Sequence, residues 1–197
     1  YHAHDFSRPM LKCFTGFLRE KYKTDEALAA AWNNDVRSFD QVRIPQLSER
    51  TLYAGVGEIL LARFDSHSSF GTLTNPDASE FESDYYRAVH RSVADAVIRF
   101  AGKAKEISAG RLVTGAFYGA LTCVVYHEMG VSAAVQRIQD AGVLDFFSSP
   151  ATYFNRALGG QATTRSPFSS FSMRGMQWMV EDDTRTHLAP FNHFGKT

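Results

Sequence analysis

The stretch RLVTGAFYG at residues 111–119 predicts a buried β-strand followed by a turn that glycine loosens. A helix over 132–141, with Ser132 as its cap, separates it from a second apolar strand, VLDFF at 143–147. A third strand, MQWMV, is predicted at 176–180 after a loop rich in glycine and serine. Because strands that alternate with helices form parallel βα units, the sequence predicts an α/β fold.

Helices dominate the part of the chain before the first strand. Ser7 can cap a helix over 7–22, and Thr24 or Asp25 opens a shorter one. The strongest helical pattern spans 83–108, and its apolar stripe comprises Tyr86, Val89, Val93, Val97, Phe100 and Ala104. Residues 36–80 form an irregular, insertion-like region in which 52–64 is a further candidate helix.

Each predicted strand ends in a cluster of polar or aromatic residues. In a (β/α)8 barrel that end of the sheet carries the active site. A whole barrel takes about 250 residues and eight strands, whereas this chain has 197 residues and three convincing strands. We therefore expect a single segment of a TIM barrel over 1–197, roughly from after strand 4 through strand 7.

Composition excludes several classes of protein. Hydrophobic residues make up 44% and charged residues 21%, as in a globular chain and unlike a disordered or collagen-like one. Lys plus Arg and Asp plus Glu are both 21, so no net positive charge favours nucleic acid as a partner. No apolar run approaches the roughly 20 residues that span a bilayer, so no membrane partner is expected.

Two cysteines, Cys13 and Cys123, form neither a disulfide framework nor a zinc site, and we expect both to be buried. The chain starts with Tyr1 and without a signal peptide, which predicts an internal stretch of a longer polypeptide. The sequence does not identify the cellular compartment of the protein, and the cytoplasm is weakly favoured.

Glu181 is the sharpest candidate for chemistry. It directly follows the third apolar strand and precedes Asp182 and Asp183. Retaining glycosidases use two carboxyl groups about 5–5.5 Å apart, one as the nucleophile and one as the proton donor. A cation such as Arg185 would keep the nucleophile ionised. From position alone, an acid that caps the next helix or pairs with Arg185 is the stronger alternative.

Tyr118 and Tyr153 each follow a strand, where phenols suit sugar faces and can hydrogen-bond a carboxylate. An equally supported alternative to sugar binding is that both tyrosines are core residues whose hydroxyl groups reach the surface. Asn155 and Arg156 offer groups that bind hydroxyls, although a loop role is the more ordinary interpretation. Trp178 lies within its strand and is expected in the core rather than under a sugar.

His2, His4 and Asp5 form a His-x-His-Asp run of the kind that holds a metal in hydrolases. No strand precedes this run in the chain, and no third ligand is convincingly placed. His127 lacks the second histidine of a zinc helix motif, because Val131 stands at that spacing. We therefore predict no metal site and no cofactor.

Three stretches together resemble glycoside hydrolase family 42 and its close relatives. Residues 6–22 and 24–32, with Lys-Tyr-x-Thr, Ala-Leu and Ala-Trp, resemble the helix pair after the fourth barrel strand. DFFSSP at 145–150, with the tyrosine, asparagine and arginine that follow it, is similar to the sixth-strand passage. VEDDTRTH at 180–187 is similar to the end of the seventh strand.

This resemblance implies a TIM barrel and an exo-acting retaining enzyme, typically a β-galactosidase that works by double displacement. Glu181 would be the nucleophile, Tyr153 would orient it or touch the sugar, and Tyr118 would line the pocket. We expect Asn155 and Arg185 to bind the substrate as well. The family's acid/base glutamate ends the fourth strand, which would lie just before the first residue. The resemblance also implies a carbohydrate substrate and a homo-oligomer, often a trimer.

Two further functions remain open. A non-catalytic carbohydrate-binding or scaffold protein on a decayed barrel would bind a saccharide, or none, without cleaving it. A metal-dependent amide hydrolase would use His2 and His4. A glutamate at a strand end immediately upstream would favour the glycosidase, whereas its lack would favour the scaffold.

Overall fold

The computed structural model describes residues 5–33, 35–46, 76–118, 133–150 and 168–181. The helices and strands within these ranges are α1 (Arg8–Tyr22), α2 (Asp25–Ala31), a 3₁₀ turn (Phe39–Gln41), α3 (Pro76–Ile107), β1 (Gly115–Phe117), α4 (Val135–Ala141), β2 (Phe146–Pro150), α5 (Phe168–Ser172) and β3 (Gln177–Glu181). Strands and helices alternate after α3, so the α/β prediction is confirmed for this part of the chain.

The chain divides into two compact units. The first unit is made of Tyr1–Val93 with Val125–Val131, and the second of Ala94–Val124 with Ser132–Thr197. No helix in the described ranges is both long enough and apolar enough to cross a membrane.

In the first unit, α1 and α2 begin where their capping residues predict. The Ser7 hydroxyl accepts a hydrogen bond from the Met10 amide, and the Thr24 hydroxyl accepts one from the Ala27 amide. Such caps satisfy amides that the first helical turn leaves without partners. Both predicted helices are confirmed.

Aromatic rings form the core of the first unit. Phe14 of α1 is fully buried, stacks on Trp32 with ring centres 6.0 Å apart and meets the edge of Tyr85 at 5.4 Å. Leu18 and Leu28 belong to the same core. Burying each such side chain stabilises the fold by about 1.5–3 kcal/mol. The core therefore uses the apolar spacing of three and four residues that predicted α1.

The long helix α3 begins at Pro76 rather than at the predicted residue 83. Proline suits the first turn of a helix, because its missing N–H would have no partner there. The predicted apolar stripe is wrong at Phe100, which is 68% exposed, whereas its other five residues are half-buried. The buried positions of α3 include Tyr85, Ala88, Ala94 and Ala101. Alanine is often fully buried despite its small size, and a search for large apolar residues overlooks it.

The second unit contains a parallel three-stranded sheet in the order β1-β2-β3. Phe117 pairs with Ser148, and Ser148 pairs with Met179. Parallel strands need crossover connections, and α4 and α5 lie in the two connections of this sheet. The predicted parallel pairing is therefore confirmed, whereas α5 lies in a stretch that was predicted to be a loop.

Two strands are displaced from their predicted ranges. β1 covers only Gly115–Phe117 of the strand and turn predicted over 111–119, and β2 covers Phe146–Pro150 instead of 143–147. Just before β2, Asp145 Oδ2 accepts hydrogen bonds from the Thr114 amide at 2.7 Å and from Lys105 Nζ at 2.5 Å. The Asp145 amide in turn donates to the Thr114 carbonyl at 2.8 Å, so polar contacts join the chain just before both strands.

The helix α4 begins at Val135, with Ala134 at the cap position and no side-chain cap, rather than at residue 132. It ends at Ala141, and the next residue, Gly142, has a φ of +62° in the left-handed region that favours glycine. The predicted cap Ser132 and the candidate helix 52–64 lie outside the described residues.

The cysteine prediction is wrong for Cys13, which is exposed. A short helical side chain is buried only when it faces the core, and the core-facing positions of α1 are Met10, Phe14 and Leu18. Cys123 lies outside the described residues.

Candidate active site

Glu181 is the last residue of β3, at the carboxyl end of the sheet, as predicted. It pairs with Pro150, the last residue of β2. Its side chain is exposed, and within the described ranges no group donates a hydrogen bond to its carboxylate.

Alternation along the strands gives the sheet two faces, because paired residues of parallel neighbours point to the same side. The helix face carries Ala116, Phe147, Ser149, Trp178 and Val180. The open face carries Gly115, Phe117, Phe146, Ser148, Gln177, Met179 and Glu181.

The helix α5 covers the helix face. Phe171 stacks on Phe147 with ring centres 4.5 Å apart, and Phe168 lies 6.0 Å from Trp178. The indole N–H of Trp178 donates a hydrogen bond of 3.3 Å to Ser149 on the same face. Trp178 therefore packs beneath α5 and, as expected, is no platform on the side of Glu181.

The open face presents apolar surface next to Glu181. Phe117 is 63% exposed and Met179 is 51% exposed. Phe146 lies across Gly115 so closely that a Cβ at position 115 would be 2.1 Å from its ring. Parallel sheets are usually covered on both faces. The burial predicted for the first strand is wrong on this face, since Phe117 is exposed.

Tyr118 follows β1 directly and lies on the helix face, with its ring centre 6.5 Å from that of Phe147. Burial raises the pKa of Tyr118 to about 12, and the Ala134 backbone opposes this to a smaller extent. Its hydroxyl makes no hydrogen bond of normal geometry with a described residue. Tyr118 and Glu181 are not brought together, because they lie on opposite faces of the sheet. This geometry does not support the pocket-lining role expected for Tyr118.

The other expected substrate-binding residues, Tyr153, Asn155 and Arg185, lie outside the described residues. The same holds for the two histidines of the His-x-His-Asp run. Its aspartate, Asp5, accepts a hydrogen bond of 2.8 Å from the Ser7 amide, and hydrogen bonds from Ser7 lower the pKa of Asp5. Across the described ranges, no group of three or more His, Cys, Asp or Glu side chains is arranged to hold a metal ion.

A second cluster of charged residues, in the first unit, was missed by sequence analysis. Asp84 of α3 is fully buried. Its Oδ1 accepts hydrogen bonds from Lys21 at 2.5 Å and Arg87 at 3.2 Å. Its Oδ2 accepts hydrogen bonds from the Tyr22 hydroxyl at 2.6 Å and the Trp32 indole at 3.1 Å. These donors fill the acceptor capacity of a carboxylate, so the cluster anchors helices and has no lone pair left for a substrate.

Glu80 extends this cluster by accepting hydrogen bonds from Lys21 at 2.6 Å and Arg87 at 2.8 Å. Burial acts to raise the pKa of Glu80, but the hydrogen bonds from Lys21 and Arg87 outweigh it and lower that pKa. Burial and the hydrogen bond to Asp84 raise the pKa of Tyr22 to about 12. The cluster therefore keeps Glu80 ionised and Tyr22 neutral over the physiological range.

The spacing of the charged residues in the sequence could have predicted this cluster. Glu80, Asp84 and Arg87 stand four and three residues apart, which puts them on one side of a helix. The predicted helix began at residue 83 and left Glu80 outside. The stretch that resembles the family's helix pair supplies Lys21, Tyr22 and Trp32, so in this structure its polar residues join helices.

No protein-family model matches the chain, and no curated protein or solved structure matches it either.

Proposed function

We propose that this protein is a retaining glycoside hydrolase that cleaves a terminal β-linked sugar, with a β-galactoside as the expected substrate and Glu181 as the nucleophile. One observation carries the proposal: an exposed carboxylate ends the last of three sequential parallel strands, on the face away from α5. The resemblance of 145–150 and 180–187 to family 42 supplies the reaction class.

The arrangement of the faces supports a barrel. In a TIM barrel, helices cover the outside of the sheet and the other face lines the interior, with catalytic residues at the carboxyl ends of the strands. Here α5 packs on the helix face through Phe171 and Phe147, so the open face corresponds to the interior. Under this proposal, β1, β2 and β3 are the fifth, sixth and seventh barrel strands.

The reaction takes two steps. First, the Glu181 carboxylate attacks the anomeric carbon, the bond to the leaving alcohol breaks, and that oxygen takes a proton from the acid/base carboxyl group. Second, the ionised acid/base removes a proton from water, and the water oxygen attacks the anomeric carbon and displaces Glu181. Two inversions retain the configuration. The acid/base is the glutamate that the resemblance assigns to the fourth strand.

The decisive variant is Glu181→Ala in the protein expressed from its complete reading frame. Hydrolysis of an aryl β-galactoside should fall by on the order of 10⁴-fold or more, because no covalent intermediate forms. Azide should restore turnover by occupying the space that the carboxylate leaves, and the product should be the α-galactosyl azide. Glu106→Ala is the matched control, because Glu106 is an exposed glutamate on α3, and it should keep the wild-type rate.

Three results bear on the nucleophile role. A wild-type rate in Glu181→Ala would remove the assignment. A β-galactosyl azide would show that Glu181 is instead the proton donor. Mass spectrometry after reaction with a 2-deoxy-2-fluoro galactoside should find the sugar on the peptide that contains Glu181. Circular dichroism of each variant separates loss of chemistry from loss of fold.

Non-catalytic saccharide binding is the second candidate, and one observation favours it. Among the described residues of the open face, Glu181 is the only acid, whereas a retaining mechanism needs two. This function predicts galactose binding by calorimetry with no reducing sugar released from any β-galactoside. Detectable release that depends on Glu181 would exclude it.

A further inference from the structure

We draw no further inference here: the strongest candidate, the surface cavity between α3 and α4 that Ala134, Arg137 and Asp140 help to line, carries nothing, because its two charged residues on α4 are half-exposed and already paired with neighbouring side chains, and no buried polar group among the described residues that line it indicates a ligand.

Discussion

Replacing Asp84 with Asn should destabilise the first unit severely. Asp84 is fully buried and accepts four hydrogen bonds, two of them from the cations Lys21 and Arg87. Asn keeps the shape of the side chain but turns an NH₂ group toward two donors. Breaking a buried ion pair from one side costs about 3–5 kcal/mol. Lys21 and Arg87 are 31% and 55% exposed and can turn to water, so we expect the lower end, about 3 kcal/mol.

The assay is urea unfolding followed by tryptophan fluorescence. The chain has two tryptophans, so a Trp178→Phe background leaves Trp32, which donates to Asp84, as the reporter. Asp40→Asn is the matched control in the same unit, because the Arg19–Asp40 pair is 54% and 91% exposed. Such a pair contributes about 0–1 kcal/mol.

A typical domain is stable by only about 5–15 kcal/mol, so the Asp84 variant should unfold at a clearly lower urea concentration. Inert surface changes usually alter the free energy of unfolding by no more than about 0.5 kcal/mol. A value for the Asp84 variant within that range of the wild type would refute the role of Asp84 as an anchor between helices. Equal effects of the Asp84 and Asp40 variants would do the same.

Two further predictions concern pH and packing. Between pH 10 and about 12, the free energy of unfolding should fall as pH rises, because Tyr22 and Tyr118 keep their protons in the folded state and lose them in the unfolded one. Ultraviolet titration should show one late-ionising phenol fewer in Tyr118→Phe, and an unchanged titration curve would contradict the burial. Gly115→Ala should cost about 1–3 kcal/mol, because its Cβ would lie 2.1 Å from the Phe146 ring. Adding Phe146→Ala should recover most of that loss in urea unfolding, and additive losses would count against the clash.

The sequence predicts those features of the fold that local chemistry dictates. Ser7 and Thr24 begin α1 and α2 because a hydroxyl at the cap position satisfies helix amides within three residues of it. The left-handed conformation of Gly142 likewise ends α4. Glu181 stands at a strand end because the apolar run before it stops there. Each of these depends on residues that are close in the chain.

Features that depend on distant partners are less predictable. The contact between Asp145 and Thr114, just before β2 and β1, joins residues that are 31 apart in the chain. The buried side of α3 depends on what packs against Tyr85, not on the size of Phe100. Assigning residues to the two faces of the sheet also requires the register of its strands. The sequence alone therefore does not show that Phe117, and not Tyr118, lies on the same face as Glu181.

Side-chain hydrogen bonds join the sheet at its amino-terminal end, where Asp145 accepts them from Thr114 and Lys105. Glu181 and Phe117 lie toward the opposite end of the sheet, and Glu181 is on the order of 15 Å from Asp145 along the strands. Substitutions near the carboxyl ends therefore leave the hydrogen bonds that Asp145 accepts from Thr114 and Lys105 in place. We expect the stability of the sheet to depend on its amino-terminal end more than on Glu181.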